Sequence, residues 1–191
     1  MQINPKISIV TVVLNDAERL HTTASNVAQL SYDNIEYIVI DGGSSQETLE
    51  VIASFKDRID VYLSEDDEGL YHAMNKGINL ATGEWIIFMN AGDKFVNNNV
   101  LKTIFKVRNY DDYDILYGDV NVSYSGFQTF QQAGNMIDIR KGMQFCHQSA
   151  LIRLKYHKSY NYNIQNKICA DFEFFYNAAS QNISFLKLNE I

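Results

Sequence analysis

An α/β domain built on a mostly parallel sheet, with helices on both faces, is the fold class that the sequence predicts. Three observations carry it. Short runs rich in β-branched residues alternate with stretches of helical periodicity as far as Met89. The connections between those runs are long enough for helical crossovers, which parallel strands require. The runs themselves are almost continuously apolar, as strands buried on both faces are. At 191 residues, 46% hydrophobic and 20% charged, the chain suits one soluble domain around one core.

The elements follow in order. Ile7–Val13 reads as the first strand. Asp16 can cap the next helix, in which Leu20, Ala24, Val27, Ala28 and Leu30 recur at helical spacing. Glu36–Asp41 is the second strand, ending in the turn Gly42-Gly43-Ser44-Ser45, with a helix through Leu49, Ile52 and Phe55 behind it. Ile59–Leu63 is a shorter third strand. A helix from about Gly69 to Ala81 carries Ala73, Met74 and Ile78 on one side, and Glu84–Met89 is the fourth and most apolar strand. After about residue 110 the rhythm changes. Tyr113–Val120, Phe127–Ala133 and His147–Arg153 read as strands with only short connections, Asp171–Ala179 as a helix and Ile183–Leu188 as a last strand. One domain spans 1–191, and because the sequence stops within a strand-like run, removal of a C-terminal tail is expected.

Charge and composition exclude several function classes. With 16 basic and 23 acidic residues the net charge is −7, which argues against a nucleic-acid partner, whose phosphates demand cations. No run approaches the roughly 20 apolar residues of a membrane span, and the N-terminus lacks a signal-peptide core. Cys146 and Cys169 make neither a disulfide framework nor a paired metal motif, so a reducing, cytoplasmic location is expected.

Polar residues collect after each of the first four strands: Asn15 and Asp16, then Asp41, then Ser64-Glu65-Asp66-Asp67-Glu68, then Asn90-Ala91-Gly92-Asp93. In a parallel sheet these positions share the carboxyl edge, where open α/β proteins bind ligands. Carboxylates gathered there repel one another unless a cation intervenes, and a divalent ion carrying a diphosphate meets that need. The same residue types also cap helices and close turns, which is the plainer reading of any single loop. Two other nucleotide sites fail on chemistry. The turn Leu14-Asn15-Asp16-Ala17 lacks the glycines of a dinucleotide fold, and no loop ends in Gly-Lys-Ser/Thr.

Together the segments Ser8–Asn15, Tyr37–Ser45, Ser64–Gly77, Ala81–Asp93, Tyr117-Gly118-Asp119, His147-Gln148-Ser149 and Ala170-Asp171-Phe172-Glu173 resemble, in order and spacing, a family 2 glycosyltransferase of the GT-A fold. The likeness covers nearly the whole chain and is greatest to bacterial members that build surface polysaccharides. It implies an inverting transfer from a nucleotide-sugar donor, UDP-linked by expectation, to a glycan or polyprenyl-linked acceptor, with Mn²⁺ or Mg²⁺ as cofactor. Residues 1–110 would bind the donor and 111–191 the acceptor. By the same resemblance Val12, Leu14, Asn15, Asp41, Asp67, Asn75, Lys76 and Asn90 would contact the nucleotide-sugar. Many relatives read Asp-x-Asp-Asp where this chain reads Asn90-Ala91-Gly92-Asp93, which leaves Asp93 as the one metal carboxylate. A single carboxylate can suffice when substrate phosphates complete the shell.

Asp171 is the implied general base, with Glu173 in reserve, although two residues onward on a helix Glu173 faces elsewhere. His147 and Gln148 would touch diphosphate, metal or acceptor, while a structural histidine is the plainer alternative. Arg140, Lys141, Arg153, Lys155 and Lys158 give the last third a basic excess, either a solvated surface or a face for anionic lipid and peripheral membrane contact. Two other functions stay open on the sequence: a sugar nucleotidyltransferase, and a catalytically silent sugar-nucleotide or glycan-binding module.

Overall fold

β-branched runs become strands here because both of their faces are covered. In a computed structural model that describes residues 4–107, 109–181 and 183–188, β1 (Ile7–Val13) is buried along its whole length. It is flanked by two parallel partners, β2 (Ile35–Asp41) and β4 (Trp85–Phe88). Beyond β2 lies β3 (Val61–Ser64), also parallel. Helix α1 (Ala17–Val27) leads from β1 to β2, α2 (Gln46–Ser54) from β2 to β3, and α3 (Leu70–Leu80) from β3 back across to β4. That reversal covers both faces of the sheet and opens a switch point between β1 and β4, where such sheets bind ligands. As expected from the sequence, Asp16 caps α1, its Oδ1 accepting from the Arg19 amide at 3.1 Å.

The last third extends the sheet less regularly. Helix α4 (Val100–Val107) precedes β5 (Ile115–Tyr117), and a hairpin of β6 (Val120–Tyr124) and β7 (Phe127–Gln131) stands apart as its own two-stranded sheet. A 3-10 turn at Met136–Lys141 and another at His147–Ser149 lead into β8 (Ala150–Arg153), followed by α5 (Leu154–Ser159), α6 (Ala170–Ser180) and β9 (Phe185–Lys187). Strand order in the main sheet is β3-β2-β1-β4-β8-β5-β9, with β8 antiparallel to β4 and β5. One apolar layer packs α1, α2 and α4 on the sheet, and the other packs α3, α5 and α6.

Four expectations need correction. The run Tyr113–Val120 is two strands, because Gly118-Asp119 leaves the main sheet to start the hairpin. The run His147–Arg153 becomes strand only at Ala150, since 147–149 coil into a 3-10 turn. The connections after residue 110 are not all short: α5 and the 3-10 turn at Met136–Lys141 fill them, and α4 was unexpected just before. Arg153 is no part of a basic surface. It is buried, lies 4.1 Å over the Trp85 ring, and pairs with Glu84 and Asp111.

Candidate active site

The strand ends at the switch point are tied to one another before any ligand enters. Asn15, just past β1, adopts φ +51°, a left-handed turn that asparagine tolerates better than most residues. Its amide donates to Ser44 Oγ at 2.7 Å and its Oδ1 accepts from the Ser45 amide at 2.8 Å. Asn15 therefore clamps the β2–α2 turn. Leu14 beside it is exposed, whereas Val12 is buried in the apolar layer beneath α3.

Asp41 ends β2, fully buried, and its Oδ2 accepts from the Ser44 amide at 3.1 Å and from Ser64 Oγ at 2.6 Å. Its Oδ1 is buried with no hydrogen-bond partner. An unpartnered buried carboxylate oxygen is costly, and at the carboxyl edge of the sheet it is a ready acceptor for a ligand donor. The acidic loop after β3 lies on the glycine turn that follows Asp41. A Cβ at Gly42 would strike the Asp67 carboxylate, and one at Gly43, where φ is +85°, would fall 2.5 Å from Asp66 Oδ1. Asp67 Oδ1 also accepts from the Gly69 amide at 2.7 Å. Lys76 latches this loop from α3, donating to the Asp66 carbonyl at 2.8 Å and pairing with Glu65 at 3.0 Å. Asn75, one residue earlier, is engaged elsewhere: its amide brackets the backbone of Tyr162, with both bonds at 2.9 Å. It positions the 160–163 segment, and its two polar groups are not turned to the loops of the switch point.

The turn after β4 is held from below by Thr23 of α1. Thr23 Oγ1 accepts from the Gly92 amide at 2.9 Å and donates toward the carbonyls of Asp93 and Asn90 at 2.8 and 3.1 Å. Within the turn, Asp93 Oδ2 accepts from the Asn90 amide at 3.0 Å. Burial pushes the Asp93 carboxyl above the usual range, offset by the nearby His147 and by hydrogen bonds from Asn90 and Gln148. A half-buried anion short of compensation is what a divalent cation would relieve, and Asn90 Oδ1, buried and unpartnered, adds a hard oxygen donor beside it. Among the described residues no group of three or more His, Cys, Asp or Glu could hold a metal unaided. The residues thus fit a cation that arrives with phosphate oxygens of its own, not a closed protein cage.

His147 connects this turn to the last third. Its Nε2 lies 3.5 Å from Asn90 Nδ2 and its Nδ1 3.2 Å from Asp171 Oδ2. Asp171 sits in the first turn of α6, but Cys169 is the N-cap, so capping does not account for the carboxylate. The other oxygen, Oδ1, accepts from the Tyr71 hydroxyl at 2.8 Å. Burial would raise the Asp171 carboxyl, yet the hydrogen bonds from His147 and Tyr71 outweigh it and hold the group below the usual carboxylate range. Asp171 is therefore ionised at neutral pH and fixed from both sides. Glu173 is directed away, accepting from Asn163 and Asn166.

Asn90, Asp93, His147, Gln148 and Asp171 are thus joined in one chain of contacts, and Asn15, Asp41, Asp67 and Lys76 in a neighbouring set on the same sheet edge. Sequence reasoning missed Tyr71 and Thr23. Each lies on the apolar stripe of a helix, where core packing is the ordinary reading, and neither carries a local signal.

The family profile described as Glycosyl transferase family 2 matches residues 8–180. A PGL/p-HBAD biosynthesis glycosyltransferase of Mycobacterium tuberculosis is 29% identical over 178 residues, covering 89% of this chain and 68% of its own. Glycosyltransferase GlyG of Streptococcus pneumoniae is 26% identical over 171 residues, 88% of this chain and 52% of that protein. Residues 1–349 of S. aureus TarS, solved in complex with UDP, superimpose with a TM-score of 0.78 at 17% identity, over 97% of this chain and 58% of that one. The mannosyltransferase PcManGT of Pyrobaculum calidifontis, in complex with GDP-Man and Mn²⁺, does so with a TM-score of 0.72 at 13% identity, over 97% and 55%. At such identities the likeness is one of fold. The chain spans about two thirds of the mycobacterial relative's length and little more than half of the others'.

Proposed function

The chain belongs to glycosyl transferase family 2 and is a glycosyltransferase of the GT-A fold, and from that premise we propose that it moves one sugar, with inversion, from a nucleoside diphosphate donor to a hydroxyl of a glycan or lipid-linked acceptor. The observation that supports this most is the run of contacts from Asn90 through His147 to Asp171 at the carboxyl edge of the sheet. UDP is the favoured nucleotide, since the TarS structure of the same fold holds it. A place in the synthesis of a surface glycan accords with the name of the mycobacterial relative.

In this reading the acceptor oxygen bonds to the anomeric carbon as the bond from that carbon to the diphosphate breaks. The electron pair leaves with the diphosphate, and the acceptor proton passes to Asp171. Tyr71 and His147 keep the carboxylate ionised and oriented, so it enters the reaction as a base without rearranging. Asp41 Oδ1 accepts from the base or ribose of the nucleotide, with Leu14 and Asn15 forming the adjacent wall. Asp93 and Asn90 would hold a divalent cation against the diphosphate, where it supplies Lewis-acid stabilisation of the leaving group.

A second reading is favoured by one contact. Both Asp171 oxygens are engaged, whereas among the described residues His147 Nε2 makes its one hydrogen-bond contact with Asn90, at 3.5 Å. In this arrangement Nδ1–H donates to Asp171, which becomes the orienting partner, and Nε2 is the atom that would accept the acceptor proton. The test is Asp171→Asn beside His147→Gln, with UDP release from UDP-sugars and UDP affinity measured separately. The first reading expects Asp171→Asn alone to abolish turnover with affinity retained, and equal loss in His147→Gln favours the second. A parent chain that binds UDP yet releases none from any donor would be a silent binding module.

A further inference from the structure

The hairpin β6–β7 is built unlike the rest of the molecule. From Val120 to Ile137 there is no Asp, Glu, Lys or Arg, where the chain's average of 20% would place three or four charges. Yet these strands are not core. Tyr124, Phe127 and Phe130 are 56%, 58% and 66% exposed, and the other exposed side chains are amides and hydroxyls. Clustered exposed aromatics with no charge among them mark a surface that meets a ligand or partner.

The register shows where that surface leads. Val120 pairs with Gln131, Val122 with Thr129 and Tyr124 with Phe127, so these six side chains share one face, while Phe130, paired with Asn121, lies on the other. At the far end Tyr124 and Phe127 stack, centroids 4.9 Å apart and ring planes 18° from parallel. At the near end Gln131 Oε1 accepts from Cys146 Sγ at 3.9 Å, and Cys146 adjoins His147. The near end of the face therefore touches the segment that carries His147. Gln131 lies four strand steps from Phe127, about 14 Å, the reach of a short oligosaccharide rather than of one sugar.

We infer that this face is an acceptor subsite for a neutral, polyhydroxylated glycan, whose sugar rings lie on the Tyr124–Phe127 pair while the chain end reaches Asp171. The inference rests on the glycosyltransferase reaction proposed above. Pyranose C–H faces pack against aromatic rings, and sugar hydroxyls pair with Thr129 and Gln131. The lack of lysine and arginine disfavours phosphate or anionic headgroups, which recruit cations.

Saturation-transfer NMR on the full chain tests this, with cellotetraose, chitotetraose and maltotetraose as probes and UDP titrated in parallel. Transfer to the ring protons of at least one tetrasaccharide is expected. In a Tyr124→Ala, Phe127→Ala double variant its affinity should fall about tenfold, with UDP affinity and melting temperature unchanged. No transfer to any of the three, or equal transfer to the double variant, overturns the inference. Binding to phosphatidylethanolamine/phosphatidylglycerol vesicles, or self-association, lost in the double variant overturns it too, assigning the face to a bilayer or a second copy. Failure of the parent chain to bind UDP would instead count against the reaction itself, and the oligosaccharide signal keeps the two apart.

Discussion

Tyr71→Phe is the perturbation that most directly probes how Asp171 is prepared. The Tyr71 ring is buried beside Tyr162, with centroids 5.4 Å apart, so phenylalanine keeps the packing and removes only the hydroxyl. That hydroxyl donates to Asp171 Oδ1 at 2.8 Å, which leaves His147 as the remaining side-chain donor to the carboxylate. A hydrogen bond contributes about 1.5–3 kcal/mol to a charged group and about 0.5–1.5 kcal/mol to a neutral one, and the difference favours the ionised form. Because about 1.4 kcal/mol is a factor of ten, the proton affinity of Asp171 should rise by up to about tenfold. A ¹³C titration of aspartate carboxyls reads this without an acceptor, the Asp171 resonance being identified by its loss in Asp171→Asn. The acid limb of donor turnover should move upward in pH with it, while the rate at neutral pH changes little. An Asp171 titration identical in parent and Tyr71→Phe would refute the argument that Tyr71 sets this group.

Three further outcomes follow from the same geometry. Mn²⁺ should strengthen UDP binding to the parent chain but not to Asp93→Ala, and calorimetry should detect no Mn²⁺ binding without nucleotide, because one carboxylate is too few ligands alone. Acid should destabilise the fold in two stages, read by calorimetry across pH. Burial lowers the His157 imidazole to about 4, so stability is full above the unfolded value near 6.5 and is lost as pH falls toward 4. Burial would raise the Glu36 carboxyl, but Lys6, Ser8 and Thr82 outweigh it and hold it at about 2, so its contribution is lost as pH falls from the ordinary 4.5 toward 2; His157→Phe should abolish the upper stage only. Gly83→Ala should cost about 2 kcal/mol in denaturant unfolding, since its Cβ would lie 2.7 Å from the Ser8 amide nitrogen and 2.8 Å from the Lys6 carbonyl, backbone that cannot yield.

The first half of the fold was legible because β1, β2 and β4 are buried on both faces and its helices carry regular apolar stripes. Those are periodic signals that survive without tertiary information. The helix at Val100–Val107 carried the same stripe, Val100, Leu101, Ile104 and Phe105, and went unread behind the polar stretch that precedes it. Other misses were of a different kind. Arg153 counted as surface charge because Glu84, its partner, lies 69 positions away, and no local pattern betrays that pair. Tyr71 and Asp171 are 100 positions apart, so the contact that shapes the proposed base exists only in the folded chain. Asp41 and Asp93 could be read from where their strands end, whereas Asp171 and His147 depended on family resemblance. Asn75 matched the family pattern too, yet it brackets Tyr162, a role no motif discloses.

In the proposed reaction the loops after β1, β2 and β4 form a nucleotide site that continues through His147 to Asp171. Amide chemical shifts of ¹⁵N-labelled chain titrated with UDP and Mg²⁺ test it most directly. The largest changes should fall at Leu14–Asn15, Gly42–Ser44, Asn90–Asp93 and His147, with α4 and β9 unmoved. Shifts centred elsewhere on the molecule, or none at saturating UDP, would contradict it.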